Sequence, residues 1–407
     1  MARYGGEITM SAPLKVGNII REEWLNILRD RRLFAILFLV PLLYTALFGY
    51  LYSNQRLVAI PTVVFDGDNS QLSRQIIQAF DQTETFRITS HTLSESEVER
   101  TIENGKARVG IIIPNDFSTR LKHGENVPVL TFVDGSNMLF SNSATRAANQ
   151  VITTFSYGAS SIKLKQQGLR DEQITATFSQ IPFRSRVLYN PMFNYNDFLV
   201  YGLIGAILQQ VLLLGVALTV TRDKEQGTWN RFAVWRGLPW RIAYAKTAPY
   251  FLIGLVNNLS VFVLSLYVFH LPFRGLFLPA MALGVSFVFA LLGIGYLASL
   301  FSGNQVGSTQ TTMLIAVPSF LLSGFTWPFE AMPYALNVAG HLLPLTYFLD
   351  GVREIFIKGH GFEMVWQDCV AMGLMGAVTY FIAFLLTPLF IKADKKSEAD
   401  TTPSLSV

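Results

Sequence analysis

The sequence predicts an α-helical polytopic membrane protein with about six transmembrane helices and an inserted extracytoplasmic α/β domain, on three observations. Of 407 residues, 51% are hydrophobic and only 15% are charged, with a mean hydropathy of +0.35; soluble domains carry about 25% charge. Six apolar runs, at about 33–53, 197–221, 243–270, 276–301, 306–326 and 367–391, approach the roughly 20 residues that cross the hydrocarbon core as a helix. The long segment 54–196 is polar instead and alternates strand-like with helix-like stretches.

Residues 1–32 read as a cytoplasmic tail and an interfacial amphipathic helix. From Leu14 to Arg32 the apolar Val16, Ile19, Ile20, Trp24, Leu25 and Leu28 recur at helical spacing against charged residues. A simple extension of the first span fits the same pattern. Arg29, Arg31 and Arg32 ahead of 33–53 resemble the basic head of a secretion signal. That apolar core exceeds 7–15 residues, however, and Gly49-Tyr-Leu-Tyr-Ser-Asn54 offers no small-x-small cleavage pattern, so 33–53 is a retained anchor.

Within 54–196, strands are expected at Val58–Phe65, Phe86–His91, Arg108–Ile113 and Val127–Asp134. Helices are expected at Ser70–Ala79, Ser94–Asn104 and Asp116–Lys122, and a long polar helix at about 138–168. Ser94 with Glu97 has the spacing of a capping box. The alternation argues for a mostly parallel sheet. Asp66-Gly-Asp-Asn69 has the flavour of a calcium loop but lacks the spaced carboxylates and terminal Glu, and reads as a turn.

Several functions are disfavoured. The lone Cys369 supports no disulfide framework, and five scattered histidines show no ligand spacing. Gly303-Asn-Gln-Val-Gly-Ser-Thr309 is the nearest approach to a phosphate loop, with the wrong spacing and no lysine. No cofactor is expected on this chain, and ATP, if needed, must sit on another subunit. Nothing points to nucleic acid, and the intramembrane carboxylate pair or histidine cluster of an enzyme is missing.

Orientation follows the short-loop Lys and Arg. Arg21, Arg29, Arg31 and Arg32 precede the first span. Arg222, Lys224, Arg231, Arg236 and Arg241 lie between the second and third, and Lys392, Lys395 and Lys396 follow the last, whereas His270–Gly275 carries only Arg274. Both termini and the 222–242 loop are therefore expected in the cytoplasm, with 54–196 and 327–366 outside. Residues 1–13 and 396–407 read as polar, poorly ordered tails.

Three features carry functional candidates. Ser323-Gly-Phe-Thr-Trp-Pro-Phe-Glu-Ala-Met-Pro333 and Leu343-Pro-Leu-Thr-Tyr-Phe-Leu-Asp-Gly-Val-Arg353 are too apolar for a solvated loop, yet Pro328, Pro333 and Pro344 prevent one long helix. Broken apolar helices that enter a bilayer must satisfy their freed backbone against protein or a water-lined cavity; an amphipathic loop on the membrane surface is the alternative. Arg222-Asp-Lys-Glu-Gln-Gly-Thr-Trp229 leaves the second span, breaks at Gly227 and resumes as amphipathic Asn230–Trp235. That suits docking into a partner's groove, or else a basic turn that only sets topology. Finally, Gln209, Gln210, Asn257, Asn258 and Gln310 are polar groups inside spans, which line pathways or bond neighbouring helices.

Taken together, Arg222-Asp-Lys-Glu-Gln-Gly-Thr228, the Ser323–Arg353 run, Asn190-Pro191 and Ile113-Pro-Asn-Asp-Phe-Ser118 resemble the permease subunits of the ABC-2 family of ATP-binding-cassette exporters. They are most like the subgroup with a large domain between the first two spans. The resemblance implies two cytoplasmic ATPase subunits and a second permease copy or homologous permease, within membrane lipids of the bacterial cytoplasmic membrane. It implies a coupling helix in 222–242, with Glu225, Gly227, Thr228, Arg231 and Trp235 as ATPase-contact candidates. It further implies re-entrant helices over 327–358, with Pro328, Pro333, Pro344, Leu345, Tyr347 and Arg353 at an outer gate. Gln209, Gln210, Asn257 and Gln310 are the pathway candidates. Trp229 and Arg231 stand where the family often has a Leu-rich helix. The expected function is export of amphipathic small molecules, drugs or envelope lipids; the competing reading is a membrane-anchored receptor acting through its outer domain.

Overall fold

The change from apolar to polar sequence near residue 54 separates two units in the computed structural model of the chain: Met1–Ser53 with Leu188–Val407, and Asn54–Val187. The structure describes residues 15–52, 57–123, 125–166, 170, 188–190, 194–235 and 237–401. The expected tail at 1–13, Pro191, Arg236 and residues 402–407 lie outside them.

The first unit is helical. Helix α1 (Val16–Arg29) is amphipathic, burying Ile19, Glu23 and Ile27, and α2 (Arg31–Leu51) follows at once. After the second unit come α7 (Tyr195–Glu225), a 3₁₀ turn (Trp229–Trp235), α8 (Pro239–Tyr267), α9 (Phe277–Phe301) and α10 (Gln305–Leu322). Two short helices, α11 (Tyr334–His341) and α12 (Pro344–Val352), lead to α13 (Phe362–Thr401). The last helix runs on to Thr401, so residues 396–401 are helical where a tail was expected.

Among the described residues, five helices are long and apolar enough to cross a membrane: Arg31–Leu51, Asn196–Glu225, Pro239–Tyr267, Phe277–Phe301 and Phe362–Lys392. About six were expected. The remaining run forms α10, 18 residues long, whose opening Gln305, Thr309, Gln310, Thr311 and Thr312 leave it less apolar than the others.

Helix α2 is not uniform, and its sequence says why. Pro41 has no N–H to offer the carbonyl four residues back, that of Leu37. The backbone widens into a π-turn over Ala35–Leu39, and the freed Leu37 carbonyl accepts instead from Asn257 Nδ2 of α8 at 2.9 Å.

The second unit holds β1 (Ile60–Asp66), α3 (Gln71–Asp81), β2 (Phe86–Thr92), α4 (Glu95–Glu103), β3 (Val109–Ile113), α5 (Phe117–Lys122), β4 (Leu130–Val133) and α6 (Met138–Gln166). The sheet order is β2-β1-β3-β4, with both β1 pairings parallel and β3–β4 antiparallel. Alternation sets the two faces. Val64, Ile111 and Ile113 pack with Ile76 and Phe80 of α3 and Ala144 and Ala148 of α6. Val63 and Ile112 pack with Val98 of α4 on the other side, where Gly110 leaves room for the Val98 side chain. The expected capping box at Ser94 does not form. Glu97 reaches one residue further back, to the Leu93 amide at 3.1 Å, and Ser94 Oγ faces Ser96 Oγ. A box does close at α3, between Ser70 and Ser73. Asp66-Gly-Asp-Asn69 is a turn, with Asp66 Oδ1 accepting from the Asp68 and Asn69 amides.

Candidate functional site

The loop after α7 begins with a helix stop written in the sequence. Gly227 adopts φ +67°, a left-handed conformation that glycine takes without strain. The Gly227 amide donates to Lys224 O at 3.1 Å and the Thr228 amide to Asp223 O at 2.9 Å, the paired bonds of a Schellman cap. Glu225, the last α7 residue, accepts from the Gln305 amide at 2.7 Å and from the Gln305 side chain. It therefore ties the foot of α7 to the start of α10.

Beyond the cap, Trp229, Phe232 and Trp235 recur every third residue. A 3₁₀ turn has 3.0 residues per turn, so they share one side, and all three are buried. Trp229 and Phe232 lie with ring centroids 5.2 Å apart. Arg231 also turns toward its own chain, so Ala233 and Val234 form the free side, Val234 being 78% exposed.

Beneath this turn sits a buried ionic junction. Lys246 of α8, fully buried, pairs with Glu23 of α1 at 2.5 Å and with Asp223 of α7. Arg231 bridges Glu22 of α1 at 2.8 Å and Asp223 at 3.7 Å. Arg222 stands 4.0 Å from Glu23. Three carboxylates thus face three cations, drawn from α1, α7, the turn and α8. Such charges persist away from water only when paired, so the four elements are mutually required. Lys246 was the overlooked signal. A lysine inside the apolar run 243–270 is itself a pointer to a site, but its partners lie 223 and 23 positions away in sequence.

In the broken stretch each proline opens a segment. Pro328 precedes a 3₁₀ turn (Phe329–Ala331), Pro333 precedes α11, and Pro344 occupies the first turn of α12, where a missing N–H costs nothing. Leu345, Phe348 and Leu349 of α12 are buried, with the Phe348 ring stacked on Phe287 of α9 at 4.0 Å. Leu336 of α11 is 46% exposed. Side chains of α12 donate to the carbonyls at the end of α11: Thr346 Oγ1 to Gly340 O at 2.6 Å, which also accepts from the Leu343 amide, and Tyr347 OH to His341 O at 3.0 Å. Arg353 donates to Phe325 O at 3.0 Å, with its guanidinium 4.5 Å from the Phe325 ring centroid.

The span amides divide. Asn257 is committed to Leu37 O, and Gln209 Nε2 reaches Ala316 O of α10 at 3.4 Å. Asn258 bonds its own helix at Gly254 O. Gln210 is half-buried and Gln310 exposed.

Helices able to cross a membrane, wired together at one end by buried charges and interrupted by short apolar helices, have the make-up of a polytopic membrane protein. The chain belongs to the ABC-2 family of transporter proteins, whose profile matches residues 31–385. It is 27% identical over 372 residues to the "Probable multidrug ABC transporter permease YbhR" of Escherichia coli K12, covering 91% of this chain and 98% of that one. It is 25% identical over 366 residues to YbhS, a second "Probable multidrug ABC transporter permease" of that strain, covering 86% and 92%. The "Inner membrane transport permease YhhJ", also from K12, is 25% identical over 330 residues, covering 80% and 84%.

Proposed function

We propose that this chain is the permease subunit of an ATP-binding-cassette exporter for amphipathic small molecules, drugs or envelope lipids. Both termini and the 3₁₀ turn face the cytoplasm, and the α/β unit faces outward. The carrying observation is the junction of Lys246 and Arg231 with Glu22, Glu23 and Asp223, which joins the turn after α7 to α1, α7 and α8. A separate ATPase subunit presses on the free Ala233–Val234 side of that turn. Gly227 and Thr228 fix its register, and Glu225 couples it to α10. Trp235 and Arg231 pass displacement inward rather than touching the partner.

Pro328, Pro333 and Pro344 shape a re-entrant outer gate whose buried plug is Leu345, anchored by Tyr347 and Arg353. Gln209 and Asn257 serve as interhelical bonds, leaving Gln210 and Gln310 as pathway candidates. A second permease, identical or homologous, completes the pathway. The test is ATPase activity of the reconstituted permease with its partner across a substrate panel. Stimulation by an amphiphile that vanishes in a Val234→Asp variant supports the reading. A permease that never raises or couples the partner's activity overturns it.

A further inference from the structure

Between α8, α9 and α13 lies a groove of about 760 Å³ that no step of the export reading uses. Its walls include Tyr244 and Phe251 of α8, Phe289 of α9, and Tyr380 and Phe384 of α13, with Trp240 at the end where α8 begins. Midway along it the polar atoms are spent internally. Tyr380 OH donates to Thr247 Oγ1 at 3.0 Å, and Thr247 Oγ1 donates to Ala243 O at 2.8 Å. To an occupant the groove is therefore mostly aromatic and aliphatic, with the Trp240 and Tyr244 polar atoms confined to the end where α8 begins.

Its α8 end differs. Arg241, half-buried, lies with its guanidinium 5.5 Å from the Trp240 ring centroid, and among the described residues no ion pair is formed with it. No side chain caps the start of α8, and although Pro239 has no N–H and the Arg241 amide donates to Leu238 O at 3.0 Å, the positive end of the helix dipole lies in the same region. Trp and Tyr are the residues that favour the depth where lipid headgroups meet hydrocarbon. Trp240 and Tyr244 line the groove toward the start of α8, with the Arg241 cation beside Trp240.

We propose that this groove seats one phospholipid with an anionic headgroup, its phosphate at Arg241 and the first turn of α8, and an acyl chain along Phe251, Phe289 and Phe384. The leaflet is the one that the start of α8 reaches, cytoplasmic in the orientation proposed above; the binding does not depend on that orientation or on export. The volume suits the claim, since sites that enclose a ligand span roughly 300–1,000 Å³. The charge explains the choice of lipid, because a neutral zwitterionic headgroup brings its own cation to the same place.

The full chain, purified in mild detergent and incubated with phosphatidylglycerol or phosphatidylcholine of matched acyl chains, is read by native mass spectrometry. One phosphatidylglycerol per chain should be retained in preference to phosphatidylcholine. Arg241→Gln should lower that preference about fivefold, the size of one arginine's attraction to an anionic surface, and Arg241→Lys should keep most of it. Ala248→Trp, which fills the groove, should reduce retention of both lipids. In the unaltered chain, a phosphatidylglycerol with a photoreactive acyl chain should label the groove residues of α8 and α13 above the other spans. Equal retention of the two lipids, label spread evenly over all spans, or a Leu252→Cys disulfide forming in full yield between two copies would each overturn the proposal.

Discussion

The two places where the membrane unit departs from long helices are held by opposite means. The turn after α7 rests on buried charge: Lys246 between Glu23 and Asp223, with Arg231 and Arg222 around them. The stretch before α13 rests on shape, with Leu345 and Phe348 packed inside and its loose carbonyls collected by Thr346, Tyr347 and Arg353. Ion pairs have few acceptable arrangements, because each partner lost leaves a stranded charge. Apolar packing is graded and tolerates small shifts, failing only when volume or polarity changes. The first suits a joint of fixed geometry. The second suits packing that tolerates adjustment.

The sharpest way to break the comparison is Lys246→Met. It leaves Glu23 and Asp223 buried without their shared cation, at a cost of about 3–5 kcal/mol, read as loss of folded protein or a large drop in the unfolding midpoint. Adding Glu23→Gln and Asp223→Asn should recover much of it, and no recovery would mean that charge is not what holds the joint. In the apolar stretch, Leu345→Asp should cost several kcal/mol through an unpaired buried charge and abolish export. Leu336→Asp, at a half-exposed site, should stay within roughly 0.5 kcal/mol with export largely kept. Equal tolerance of the two would show that α12 is not a buried plug.

Gly227→Val forces a β-branched residue to a positive φ, worth roughly 1–3 kcal/mol of strain. The protein should remain inserted while substrate-stimulated ATPase activity falls; normal coupling would contradict the role given to the turn. The smallest stability effect belongs to Val234→Asp, on the exposed side, at about 0.5 kcal/mol or less. Its signature is loss of ATPase binding in a pull-down from membranes, with an unchanged unfolding midpoint.

Much of this architecture was legible in the sequence because it is local. Strand and helix positions in the α/β unit follow from runs such as Val109–Ile113 and from turn residues such as Asp66-Gly-Asp-Asn69, and the prolines of the broken stretch interrupt it as expected. Gly227 likewise announces its cap. The joint was not legible. Glu23 looked like one more residue on the polar face of α1, and Lys246 like an impurity in an apolar run, since nothing in the order of residues brings them together. Trp235 and Arg231 were expected at a partner's surface; the three-residue period of the turn places Trp235 inside, and ion pairs to Glu22 and Asp223 hold Arg231 against its own chain, while Val234 stays outside. The sixth span is a matter of degree, because α10 trades apolarity for the Gln and Thr side chains at its start.

Pro41 has a mechanical consequence. Its missing N–H leaves the Leu37 carbonyl to Asn257, so α2 is keyed in rotation to α8 at mid-helix. Glu23 clamps α1 to the same α8 about three turns earlier, at Lys246. A helix pinned at a single point can pivot, whereas α1 and α2 grip α8 at two separated heights. These three helices are therefore tied as one stiff unit, with α2 held against twisting along α8.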